Sequence, residues 1–176
     1  MIASHRVPPT VAGCEVQRLG WNPFSDHDGT EDGGHVATRQ DFTDEEWAAL
    51  QKGLMGSGTL VSVSDRDLTD TFGEAGELGK YLAGQQVAAT NELVRELAKT
   101  HGTTFGLTTS PDRMRTETLA ALTSAVGTLG AKAPEDLGPY RELVLGLAQA
   151  VADAKGGEVP IETAMIASIR EALGED

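Results

Sequence analysis

Two stretches carry carboxylates at spacings that could gather oxygen atoms around a hard cation. "VSDRDLTDTFGEAGELGKYL" covers residues 63–82, and "VADAKGGEVPIETAMIASIR" covers residues 151–170. At a constant offset of 88 residues, Val63 falls on Val151, Asp65 on Asp153, Asp70 on Glu158 and Glu74 on Glu162. The apolar positions Leu78 and Tyr81 fall on Ile166 and Ile169 in the same register. Each copy therefore reads Asp, a carboxylate five residues on, and Glu four residues beyond that. Ca²⁺ and Mg²⁺ take oxygen ligands, with Ca²⁺ gathering about 6–8 of them, and the carbonyls of a glycine-rich corner can complete such a shell. Asp65, Asp70, Glu74, Asp153, Glu158 and Glu162 are the candidate metal ligands. Helix capping offers a second reading of the same residues. Acidic side chains are favoured at the positive ends of helices, and Gly156-Gly157 is an ordinary helix stop.

The elements that must position these groups are helices. Structure is expected to begin at "DFTDEEW", where Thr43 is an N-cap, Glu46 completes a Thr-x-x-Glu capping box and Phe42 can staple onto Trp47. Trp47, Leu50 and Leu54 follow at helical spacing. Leu60-Val61-Ser62-Val63 could pass as a strand, but no second strand pattern exists to pair with it, so the helix is expected to run to about Ser64. A second helix is expected over about 69–82. A third is expected over about 85–99, with Val87, Leu93, Val94 and Leu97 as its apolar stripe. Ser110-Pro111 opens a fourth, with serine as N-cap and proline at the first helical position. Ala133-Pro134 breaks it, Tyr140, Leu143, Leu147 and Val151 mark the fifth, and Pro160 opens the last. Six or seven helices joined by short connections make an all-α bundle with an internal pseudo-repeat over residues 41–176.

Residues 1–40 hold Pro8-Pro9, Gly33-Gly34 and scattered charge without a sustained period, and read as a largely disordered tail. Within it "LGWNPFSD" sets Trp21 and Phe24 beside an acidic run, a candidate docking motif for a protein partner. The alternative function is therefore an interaction module recruited through this acidic aromatic tail.

Composition excludes several classes. The formal net charge is −13 over 176 residues, and the window from Asp26 to Glu46 holds eight acidic residues against Arg39, or −7. Such a chain repels the phosphate backbone of nucleic acids and anionic membrane surfaces, and suits cations or basic partners. Only 5% of residues are aromatic while 39% are hydrophobic, a composition that favours helices over a β-sandwich. The single Cys14 rules out an internal disulfide and a multi-cysteine zinc site. No transmembrane run and no signal-peptide pattern near Met1 are found, so the expectation is a cytoplasmic protein with no membrane insertion. "SDHDGTEDGGH" lacks the terminal Glu spacing of an EF-hand loop, and no Gly-x-Ser-x-Gly, Walker or His-Glu-x-x-His motif occurs, so an enzyme is unsupported.

One family resembles the corner pattern. A helix ending in Ala152-Asp153, the Gly156-Gly157 turn, the apolar Val159 and Glu162 opening the next helix resemble the second motif of the TerB-like (tellurite-resistance protein B-like) domains. Val63, Asp65, Phe72 and Glu74 look like a degraded first copy. The resemblance spans roughly Phe42 to Leu173 and implies an all-α bundle, suspected metal binding by the acidic residues, and bacterial stress-related or membrane-linked systems. Both corners here are about two residues longer than the family pattern.

Overall fold

The computed structural model describes residues 37–63, 71–101, 105, 109–154 and 160–175, without the side chains of residues 71–75. Within them the chain is all-α: α1 (Asp44–Val63), α2 (Thr71–Ala88), α3 (Glu92–Leu97), α4 (Pro111–Lys132), α5 (Pro134–Ala154) and α6 (Pro160–Ala172), preceded by one 3-10 turn at Arg39–Asp41. No strand occurs among the described residues.

The start of α1 follows from its sequence. Glu46 N–H donates to Thr43 Oγ1 at 3.2 Å, and Thr43 N–H donates to Glu46 Oε2 at 2.8 Å, which closes the capping box. Phe42 and Trp47 rings lie 6.0 Å apart as the staple, with the Arg39 guanidinium 5.3 Å above the Trp47 ring. Packing reaches further back than position 41, because Ala37 is buried and its N–H donates to Asp136 Oδ2 at 3.0 Å.

α1 is the central helix, buried on most of its circumference from Trp47 to Val61. Its glycines make that possible. A methyl group at Gly53 would stand 2.7 Å from Tyr140 Oη and 2.9 Å from Leu122 Cδ2, and one at Gly56 would stand 2.4 Å from Thr118 Oγ1. The bare backbone of α1 thus admits α4 and α5 closer than any side chain would. Tyr140, fully buried, donates its hydroxyl to the Leu50 carbonyl at 3.0 Å, and burial pushes the pKa of that hydroxyl well above the usual phenol range.

The later boundaries also have local causes. Ser110 Oγ accepts from Arg113 N–H at 3.3 Å to cap α4. α6 closes on Gly174 at φ 70°, where Gly174 N–H bonds Glu171 O and Glu175 N–H bonds Arg170 O, both at 3.0 Å. Arg141 Nε adds a bond to the Leu173 carbonyl at 2.9 Å.

One expected boundary is moved. The second helix runs through Gly84 to Ala88, and the third is a short helix capped by Asn91, whose Oδ1 accepts from Val94 N–H at 3.0 Å. Val87 accordingly leaves the expected core stripe and stands 89% exposed, while Leu93, Val94 and Leu97 are buried as expected. A lone helical glycine weakens a helix without stopping it, whereas a side-chain cap fixes where the next one starts.

Candidate functional site at the α5–α6 corner

Two of the six expected ligands come together at the end of α5 and the start of α6. Asp153 is the penultimate residue of α5, and Glu162 is the third residue of α6. Both line a cavity of about 290 Å³ with Gln149, Thr163, Ile166 and Arg170. Their environments differ sharply. Asp153 is exposed and accepts a hydrogen bond from Gln149 Nε2, one turn back on α5, at 2.8 Å. Glu162 is 1% exposed and sits in the first turn of α6, where the helix dipole favours a negative charge.

The helical period explains the grouping. Gln149 and Asp153 are four residues apart on α5, and Thr163, Ile166 and Arg170 share one face of α6. Ala152 and Ile169, both buried, hold the two helices against the core so that these faces meet. The donor set is two carboxylates, one amide and one hydroxyl, all hard oxygens of the kind Ca²⁺ and Mg²⁺ take. Arg170 brings a positive charge to the same cavity, which opposes a cation there.

Asp65, Asp70 and Glu158 lie outside the described residues, as does the side chain of Glu74. Trp21 and Phe24 of the expected partner-binding motif also lie outside them. Among the described residues, no three His, Cys, Asp or Glu side chains gather as a metal cluster, so Asp153 and Glu162 stand as a pair. The two helix-corner-helix units do keep the expected register in outline: shifted back by 88 residues, the first residue of α6 falls one position after the first residue of α2.

Gln149, Thr163 and Arg170 were not singled out from the sequence, although a helical projection of residues 149–153 and 162–170 puts each on the cavity side. Asp136 was missed as well. It is 2% exposed, accepts from Ala37 N–H at 3.0 Å and from Asn91 Nδ2 at 2.5 Å, and so joins the segment before α1, the cap of α3 and the first turn of α5. Its partners belong to the fold itself, and it does not reach a cavity chemistry of its own.

Fold and site together define an all-α helical protein with an acidic inter-helix corner, and among the described residues no helix is long and apolar enough to cross a membrane. No family model, no curated protein and no solved structure matches the chain.

Proposed function

We propose that the protein is a non-enzymatic, cytoplasmic, TerB-like binding or adaptor module that takes a divalent cation, Ca²⁺ or Mg²⁺, at the α5–α6 corner. The observation that supports this reading is the shared cavity of Asp153 and Glu162, a pairing first expected from their place in the 151–170 motif. In it Asp153 and Glu162 supply carboxylate oxygens and Gln149 and Thr163 add neutral ones, while Glu158 is carried as a further ligand from its place in the sequence alone. The corner at Asp65, Asp70 and Glu74 is the repeat of this unit and a second place for the same chemistry. Cation binding then changes the charge presented to a protein partner.

Calorimetric titration of the full chain with Ca²⁺, Mg²⁺ and Mn²⁺ tests the proposal. The affinity is expected to fall at least tenfold in the Asp153→Asn/Glu162→Gln variant, which keeps side-chain shape while removing both charges. Undiminished binding in that variant removes these residues from the ligand set, and an absence of heat in the wild type removes the cation.

A further inference from the structure

α2 is built unlike the helices it covers. Its 18 residues include Gly73, Gly76, Gly79 and Gly84, and at Gly76, Gly79 and Gly84 an added methyl group would meet nothing within 4 Å. Close packing therefore does not require glycine at these three positions, in contrast to Gly53 and Gly56 of α1, where it does. Each exposed glycine weakens a helix relative to alanine. Among the described side chains burial does little to offset this. Of the described α2 side chains only Leu82 is buried, Leu78 and Tyr81 are partly buried, and Val87 points into solvent. α1 by comparison buries ten residues and α5 eight.

The contact below α2 is also incomplete. A cavity of about 350 Å³ lies between the C-terminal half of α2, the start of α3 and α5, lined by Tyr81, Gln85, Asn91, Pro139 and Glu142. Pro139 has no N–H to donate within α5, so α5, which runs on from Pro134 to Ala154, lacks one main-chain hydrogen bond at this wall. Among the described side chains, those that hold α2 make a short row of contacts. Leu78 Cδ1 lies 3.0 Å from where a methyl group would stand at Gly58, and Tyr81 Oη lies 2.0 Å from the corresponding position at Gly146. Gln86 Nε2 adds one hydrogen bond to the Ala98 carbonyl at 2.7 Å.

We infer that α2 is a detachable cover. It opens as a local unit while α1, α3, α4 and α5 stay folded, and in opening it uncovers the trough formed by Gly58, Gly146 and Leu147. Elements with few buried apolar contacts open independently of the core in this way. α3 stays behind because Leu93, Val94, Leu97 and Ala98 are all buried. The inference takes nothing from the α5–α6 corner; because Glu74 of the second proposed cation corner lies in α2, the exchange is measured in the absence of divalent ions.

Native-state hydrogen exchange on the full chain tests it. Amides of α2 between residues 78 and 88 are expected to exchange at least a hundredfold faster than the slowest amides of α1 and α5. Gly76→Ala/Gly79→Ala/Gly84→Ala is expected to slow α2 about a hundredfold, roughly four- to fivefold per exposed glycine, and to leave α1 rates within about twofold. Gly146→Ala, which displaces the Tyr81 hydroxyl, is expected to speed α2 exchange at least tenfold and to spare α1 and α4. Exchange of α2 at the same rate as the core overturns the inference. So does a triple variant in which α2 rates do not move, or a Gly146→Ala variant in which every helix accelerates alike.

Discussion

At the scale of single residues, the most consequential side chain is one the sequence did not advertise. Asp136 binds donors that lie 99 and 45 residues away in the chain, so no local spacing could reveal it. Hydrogen bonds to a buried charged group contribute about 1.5–3 kcal/mol each. Asp136→Ala is therefore expected to lower the unfolding free energy by about 3 kcal/mol, and Asp136→Asn by about 2 kcal/mol because its amide sets a donor against a donor. Urea denaturation measures both. The surface carboxylates act through pH instead. The Lys132 ammonium beside Glu46, with the Thr43 cap, holds the Glu46 carboxyl below its ordinary value of 4.5, and Lys52 with Arg113 does the same for Glu117. A lowered folded-state value means that the stabilisation is present above pH 4.5 and is lost as pH falls through the folded value. The wild type should thus lose stability on acidification below that point. The Glu46→Gln/Glu117→Gln variant should be less stable near neutrality and show a flatter acid limb, as followed by melting temperature against pH.

At the scale of elements, α1 packs closely against α4 and α5 through its glycines. Thr118 Oγ1 is buried, has no hydrogen-bond partner among the described residues, and faces the Gly56 backbone. Gly56→Ala would gain about 1 kcal/mol of helix propensity but forces a methyl group to within 2.4 Å of that oxygen. Overpacking of this kind typically costs about 1–3 kcal/mol and occasionally more. The variant is expected to be destabilised on balance, and Thr118→Ala in the same chain should recover most of the loss. A double-mutant cycle in thermal denaturation gives the coupling, and additive effects would show that the two positions do not press on each other. Helix starts were legible at Thr43 and Ser110, whose side chains form the caps, and at Pro160, where proline opens α6. The α2–α3 boundary was not, because Gly84 imitates a stop while Asn91, the true cap, is followed three residues on by Val94 and not by the Glu or Gln of a capping box.

At the scale of the whole molecule, the all-α class was legible because apolar residues recur at helical spacing and few aromatic residues compete for strands. The pairing of Asp153 with Glu162 was legible for a related reason, since both flank one corner. Gln149 and Arg170 were not, because each sits a turn or more away from that corner and only the crossing of α5 and α6 turns them onto the same cavity. Arg170 also sets the balance of charge there. Arg170→Gln removes the opposing positive charge and is expected to raise Mg²⁺ or Ca²⁺ affinity about threefold to tenfold in calorimetry, an effect equal to about 0.7–1.4 kcal/mol. Unchanged affinity would place the cation away from this cavity. With a net charge of −13, every cation stabilises the fold to some degree by screening, so specific binding has to be read against matched ionic strength.

Thermal unfolding of the full chain, with Ca²⁺ or Mg²⁺ at a hundred times the dissociation constant and NaCl at equal ionic strength as reference, addresses the cation site most directly. Binding to the folded state alone stabilises by about 2.7 kcal/mol under those conditions, which corresponds to a rise in Tm of roughly 5–10 °C for a domain of this size. The wild type should show that rise with the divalent ion and not with NaCl, and Asp153→Asn/Glu162→Gln should show at most about half of it, since a tenfold loss of affinity leaves about 1.4 kcal/mol at the same ion concentration. An equal rise in the double variant, or a wild-type Tm that does not distinguish the divalent ion from NaCl, contradicts a cation held between α5 and α6.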